Sequence, residues 1–321
     1  MADHAVEEDN GDIFIYRGGR APQHITHVLI DKSVDDIEDN AFYPCENLLT
    51  VDTHCGIRKI GKEAFRRCKS LRRINLRSVV EIDLRAFTVC NNLADVEFGD
   101  RLEIIGCNAF GGCSLQHLKL PSIITIRSAA FWNCTHLTDV EFSERLETIE
   151  AVSFYGCERL QRITVPLKRN LFSFSNKWQK YNQFDKCEQL VTVGLSGGIH
   201  KTVASLHMES WRSEMITEIN RINRVLPKKH ADDKTGEIQQ WMVSVLEKMD
   251  HYKSEHCRYV KEGITLLELA LWKAKLGEKE VNCGEGKTKA KVDAESYRWD
   301  KRITCGADIV IKTVLPFLQL E

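Results

Sequence analysis

Between residues 37 and 195 the apolar positions repeat in blocks rather than with one short period. An isoleucine (Ile37, Ile60, Ile82, Ile105, Ile126, Ile149) is followed five residues later by a phenylalanine (Phe42, Phe65, Phe87, Phe110, Phe131, Phe154), and Phe184 continues the series. The intervals between phenylalanines are 23, 22, 23, 21, 23 and 30 residues. Three residues after each comes a cysteine (Cys45, Cys68, Cys90, Cys113, Cys134, Cys157, Cys187), then a leucine (Leu48, Leu71, Leu93, Leu115, Leu137, Leu160, Leu190). Most blocks close on a short apolar and polar alternation, as at Ile74 and Leu76 or Val140 and Phe142. That period of two predicts a half-buried strand in each unit.

One unit of this size has an apolar side it cannot bury alone. Stacking the units turns equivalent strands into a parallel sheet at about 4.8 Å spacing and lines up Ile, Phe, Cys and Leu as ladders through one core. The predicted class is therefore α+β: a solenoid of stacked parallel strands, followed by a small helical domain. Three departures stand out: one residue fewer between Cys113 and Leu115, Ser153 and Gln183 where other units have alanine, and an insertion near residues 168–181 before Phe184. At the front of the array, residues 13–16, the Gly18-Gly19 turn signal and residues 25–30 predict a β-hairpin-like cover.

The unit I-x-x-x-A-F-x-x-C-x-x-L-x-x-V-x-L resembles the BspA-type leucine-rich repeats over about residues 25–195. The resemblance implies a leucine-rich-repeat solenoid and no particular activity, because such repeats are similar across adhesins, receptors and intracellular proteins.

After Gly198 the period becomes helical. Trp211, Met215, Ile216, Ile219, Ile222 and Leu226 share one predicted face ending at Pro227, and Ile238, Trp241, Met242, Val245, Leu246 and Met249 share another. A third helix is expected over residues 254–276, apolar enough around residues 266–272 to suggest burial on several sides and stopped by Gly277. A last helix is expected over residues 307–315, before Pro316. The domain organisation expected is a solenoid with its hairpin cap at residues 11–200 and a helical domain at 201–321. Residues 266–276 and 305–318 resemble the C-terminal region of leucine-rich-repeat proteins from unicellular photosynthetic eukaryotes.

Charge changes this picture little. The 45 Lys and Arg balance 46 Asp and Glu, a net charge of −1, so no bulk field favours nucleic acid or an anionic membrane. The acidic start lacks the pattern of a secretory signal, and no apolar run reaches the ~18 to 20 residues of a membrane span, so a cytoplasmic protein with reduced thiols is expected. Twelve cysteines invite a metal reading, but seven of them form a ladder whose side chains run parallel instead of converging on one point, so core packing is expected there. His251, His256 and Cys257 have the wrong spacing to share a helical face. Residues 283–288 end in Gly-Lys-Thr but lack the earlier glycine and the preceding strand of a phosphate loop. No cofactor is expected.

What remains is a surface. With the apolar strand residues turned inward, the intervening ones line the exposed face of the sheet: Asp52; Arg73 and Asn75; Asp95 and Glu97; His117 and Lys119; Asp139 and Glu141; Arg162. The rows alternate in charge, placing Arg73 beside Asp95, Glu97 beside Lys119, Lys119 beside Glu141 and Asp139 beside Arg162. Opposite charges on neighbouring strands contribute ~0.2 to 1 kcal/mol each and fix register; the same face can also meet a protein partner. Asp95, Glu97, Asp139 and Glu141 disfavour nucleic acid there, and the basic cluster of Arg66, Arg67, Lys69, Arg72, Arg73 and Arg77 reads as a solvated edge. The expected function is a non-catalytic interaction or scaffold protein binding a protein partner through this face. A surface or secreted adhesin and an enzyme housed in the helical region are the alternatives.

Overall fold

The strand alternation and the apolar ladders fold as a solenoid with two parallel sheets. In a computed structural model of the chain, residues 13–173, 181–196 and 208–281 are described. The strands are β1 (Ile13–Tyr16), β2 (His27–Ile30), β3 (Asp36–Ile37), β4 (Thr50–Asp52) and β5 (Lys59–Ile60). They continue as β6 (Arg73–Leu76), β7 (Glu81–Ile82), β8 (Asp95–Phe98), β9 (Ile104–Ile105) and β10 (His117–Leu120). The last are β11 (Thr125–Ile126), β12 (Asp139–Phe142), β13 (Thr148–Ile149), β14 (Arg162–Val165) and β15 (Thr192–Leu195). The longer strands make the front sheet, and the two-residue strands at each isoleucine make an unbroken back sheet from β3 to β13.

Between the sheets run the ladders. The seven phenylalanines are buried, with neighbouring rings stacked at 4.8–5.7 Å between centroids. Tyr16 covers the first ring at 4.8 Å. Each Phe amide from Phe42 to Phe154 donates to the carbonyl of the residue just before the next unit's phenylalanine, at 2.7–3.0 Å. From Cys68 on, each ladder thiol donates to the phenylalanine carbonyl of the preceding unit at 3.0–3.3 Å, and Cys45 donates to the Pro22 carbonyl. The cysteine is therefore a small buried hydrophobe that also satisfies a carbonyl lying between rungs.

The polar departures from the repeat are satisfied locally. Ser153 bonds the carbonyl of Glu150, and Gln183 donates to the carbonyls of Ile149 (3.2 Å) and Ser173 (2.9 Å). The isoleucine missing from the seventh unit is replaced by Phe172, which bridges Ile149 as the isoleucines bridge one another.

The N-terminal cover is not a hairpin. β1 and β2 pair in parallel, Ile13 with His27 through Tyr16 with Ile30. The positive-φ glycines Gly18 and Gly19 turn the chain, but ten residues separate the strands, enough to cross the end of the core and re-enter in the same direction. Ala21 and Ile25 are buried on that crossing.

Two helices follow, α1 (Met208–Val225) and α2 (Lys234–Val281). Single-turn 3-10 segments lie between them, the first carrying Pro227. In α1 the buried positions are Met215, Glu218 and Ile222; Ile216 is exposed, because it lies about 100° round the helix from Met215. The two helices expected over residues 238–249 and 254–276 are one continuous α2. Residues 250–253 contain neither proline nor glycine, Arg258 pairs with Glu255 at 2.7 Å along that stretch, and Gly277 is carried inside the helix. The chain divides into compact units at Met1–Glu247 and Lys248–Glu321. In the second unit Leu266 is 67% and Trp272 61% exposed, contrary to the burial expected from their apolar surroundings: among the described residues no second element packs there to supply it. The helix expected at 307–315, the segment 283–288, Cys283, Cys305 and the Trp211 side chain lie outside the described residues.

The first unit closes the solenoid. Ile238, Trp241, Met242 and Val245 of α2 are buried, and Trp241 donates to the Glu218 carbonyl of α1 at 3.1 Å. Three side chains occupy places that a further repeat would fill. Asn223 accepts from the Val193 amide at 2.8 Å, Thr235 accepts from the Phe184 amide at 3.2 Å, and Lys234 donates to the carbonyls of Cys187 (3.1 Å) and Glu188 (2.6 Å). Burial lowers the Lys234 pKa, and those carbonyls receive its ammonium.

Candidate functional site

The alternation in the front strands turns one set of side chains into the ladders and the other outward. Asp52, Arg73, Asn75, Asp95, Glu97, His117, Lys119 and Arg162 all carry an exposed or half-buried side chain on one face, together with Asp139 and Glu141. The register sets Arg73 opposite Asp95 and Asn75 opposite Glu97. It also sets His117 opposite Asp139, Lys119 opposite Glu141, and Asp139 opposite Arg162.

Asp139 is the hub of the second half of this face. Arg162 reaches it at 2.8 Å from one side and His117 at 3.2 Å from the other. Partial burial raises the Asp139 carboxyl; the Thr138 hydroxyl, Arg162 and His117 outweigh that and hold it below the usual aspartate range. Lys119 and Glu141 approach to 3.7 Å. All are exposed pairs of the kind that adds at most about 1 kcal/mol, so their main effect is to set side-chain positions.

Glu97 and Lys119 are not neighbours. The front sheet is two sheets, one ordered β1-β2-β4-β6-β8 and one β10-β12-β14-β15, with no strand pairing between β8 and β10. The residue missing between Cys113 and Leu115 shortens the approach to β10, and the Ser114 amide bonds the Leu93 carbonyl instead of continuing the ladder. On the other side Gly99 sits so close to β6 that a Cβ would lie 1.8 Å from the Arg77 carbonyl. Val96 and Phe98 are only half-buried where their counterparts are buried, and Glu97 pairs with Arg77 at 3.1 Å. Since the back sheet and the phenylalanine ladder cross this point unbroken, the discontinuity is confined to the exposed face.

The other candidate chemistry dissolves into packing. All seven ladder cysteines are buried, and burial pushes the Cys45 thiol up to about 11 and Cys90 and Cys134 up to about 12. No group of His, Cys, Asp and Glu able to hold a metal occurs among the described residues. In the basic cluster Arg66 pairs with Glu63 and Lys69 with Glu46, both at 2.8 Å, a solvated ion-paired edge. No described helix is long and apolar enough to cross a membrane.

Comparison with known proteins agrees with the repeat geometry. Residues 21–134, 68–191 and 103–223 match the BspA type leucine rich repeat region, in six copies. The chain belongs to this family, whose members are generally non-enzymatic repeat proteins of protein-interaction or surface type. It is similar to the crystal structure of a leucine rich repeat protein of T. pallidum: 28% identity, TM-score 0.46, over 56% of this chain and 82% of that one. It is also similar to a leucine-rich repeat protein from Bacteroides ovatus, with 22% identity and a TM-score of 0.44, covering 55% of this chain. The match spans about half, 48%, of the Bacteroides protein. The search of curated proteins gave no match.

Proposed function

We propose that this chain is a non-catalytic interaction or scaffold protein, working in the cytoplasm, that binds a protein partner through the exposed face of its front sheets. The observation that carries this reading is the polar face itself. Asp52, Arg73, Asn75, Asp95, Glu97, His117, Lys119, Asp139, Glu141 and Arg162 stand on short strands anchored from behind by the buried ladders. Rigid presentation lowers the ordering cost of binding, and alternating charge favours one partner alignment over others. A partner can exchange the exposed pairs of Asp139 and Glu141 for intermolecular ones at small cost, because each pair is worth little in water. The acidic row at the discontinuity, Asp95 and Glu97, adds a contact with no charged strand hydrogen-bonded on its far side.

Reversing Asp95, Glu97, Asp139 and Glu141 to lysine is expected to abolish partner capture while circular dichroism stays that of the parent. A set of reversals at Asp35, Lys59 and Glu81, away from this face, is expected to leave capture intact. Equal capture by both sets would overturn the assignment of the face.

A further inference from the structure

The two ends of the front surface are finished differently. At the far end, α1 packs on β15 and Asn223 takes up the amide of Val193. At the near end β1 is the last strand, and among the described residues β2 is its one strand neighbour. The Tyr16 carbonyl accepts from the Asp31 amide at 2.9 Å, so Phe14 and Tyr16 turn their peptide groups toward β2. By alternation, those of Ile13 and Ile15 point away from the sheet. The strand sequence, Ile-Phe-Ile-Tyr, has no proline and no charge, the devices that usually blunt an edge.

The side chains on the exposed face are also out of keeping with the rest of that face. Ile13 is 55% exposed, Ile15 37%, and Leu29, in register with Ile15, 44%. From β4 onward the same face is polar. We propose that β1 is a homodimer surface, pairing antiparallel with β1 of a second copy about a two-fold axis through Phe14. In this register Ile13 of one copy lies opposite Ile15 of the other. Those are the residues whose free amides and carbonyls face the edge, and their side chains lie on one side of the sheet. Backbone alternation and side-chain alternation thus select the same register, and Ile13, Ile15 and Leu29 of both copies merge into one apolar stripe. Charge favours the antiparallel sense: Glu7, Glu8 and Asp9 precede the strand while Arg17 and Arg20 follow it, so opposite charges meet at each end.

The test is sedimentation equilibrium of the full chain across the micromolar range, with amide hydrogen exchange on the same samples. The expected result is a concentration-dependent dimer in which the Ile13 and Ile15 amides exchange slowly. Ile15→Lys, at an exposed position, should weaken it at least ~tenfold and restore fast exchange at Ile13. Ile13→Lys should do the same. A monomer throughout would overturn the proposal, whether or not those amides are protected. So would a dimer whose Ile13 and Ile15 amides exchange fast, or one unweakened by either lysine.

Discussion

The Phe184 amide donates to the Thr235 hydroxyl, 3.2 Å away, a bond that in each earlier unit from Phe42 on goes to a backbone carbonyl of the next unit. A side chain from α2 therefore stands in for a whole missing repeat at the point where the core would otherwise end. Thr235→Val keeps the shape and removes the acceptor, leaving a buried amide unpaired. The expected loss is about 1–3 kcal/mol, read from the urea midpoint. Thr235→Ser, which keeps the oxygen, should lose less.

The ladder thiols are expected to be inert. Among the described cysteines, Cys55 is exposed and Cys107 and Cys257 are half-buried, whereas the seven ladder thiols are buried and donate to carbonyls. With Cys90 and Cys134 raised to about 12, almost no thiolate forms at pH 8. Alkylation mapped by mass spectrometry should label Cys55 first in native protein and reach the ladder only after denaturation.

Val89 occupies a left-handed position, φ 64°, where Gly112 and Gly156 stand in other units at φ 75°. A β-branched residue is strained there. Val89→Asn should raise stability by about 1 kcal/mol, seen as a higher thermal midpoint, because asparagine tolerates this conformation without the added unfolded-state freedom of glycine.

Asp139 gives a pH dependence of known sign. Its folded pKa is lowered, so its contribution is complete above the unfolded aspartate value of ~3.9 and is lost as pH falls through the folded one. The thermal midpoint of the parent should exceed that of Asp139→Asn most near neutrality, with the gap closing as the solution is acidified below that range. A constant gap would show that Asp139 acts through shape rather than charge.

The ladders were legible in the sequence because each rung is one residue type at one place, and the physics is local: Phe, Cys and Leu recur and are buried. The row of polar residues from Asp52 to Arg162 followed from alternation alone. The discontinuity did not. The missing residue after Cys113 is plain, but its effect depends on how far β10 can shift while Phe110 keeps its stack on Phe87 and Phe131. The parallel pairing of β1 was missed because Gly18-Gly19 marks a turn without saying where the chain re-enters. The closing residues Asn223, Lys234 and Thr235 have no repeat to betray them, and each is recognisable only from what it faces. The joining of two expected helices into α2 turns on residues 250–253, whose weak propensities decide little by themselves.

Because Asn223, Lys234 and Thr235 fit Val193, Cys187 and Phe184 by side-chain chemistry, the seventh unit is committed to being last. Units two to six present the same carbonyls, thiols and rings on both sides. Gene duplication or loss can therefore lengthen or shorten the array among those interior units without disturbing its closure, so related chains should differ in repeat number upstream of the insertion at residues 168–181 while keeping the terminal unit and its helices together.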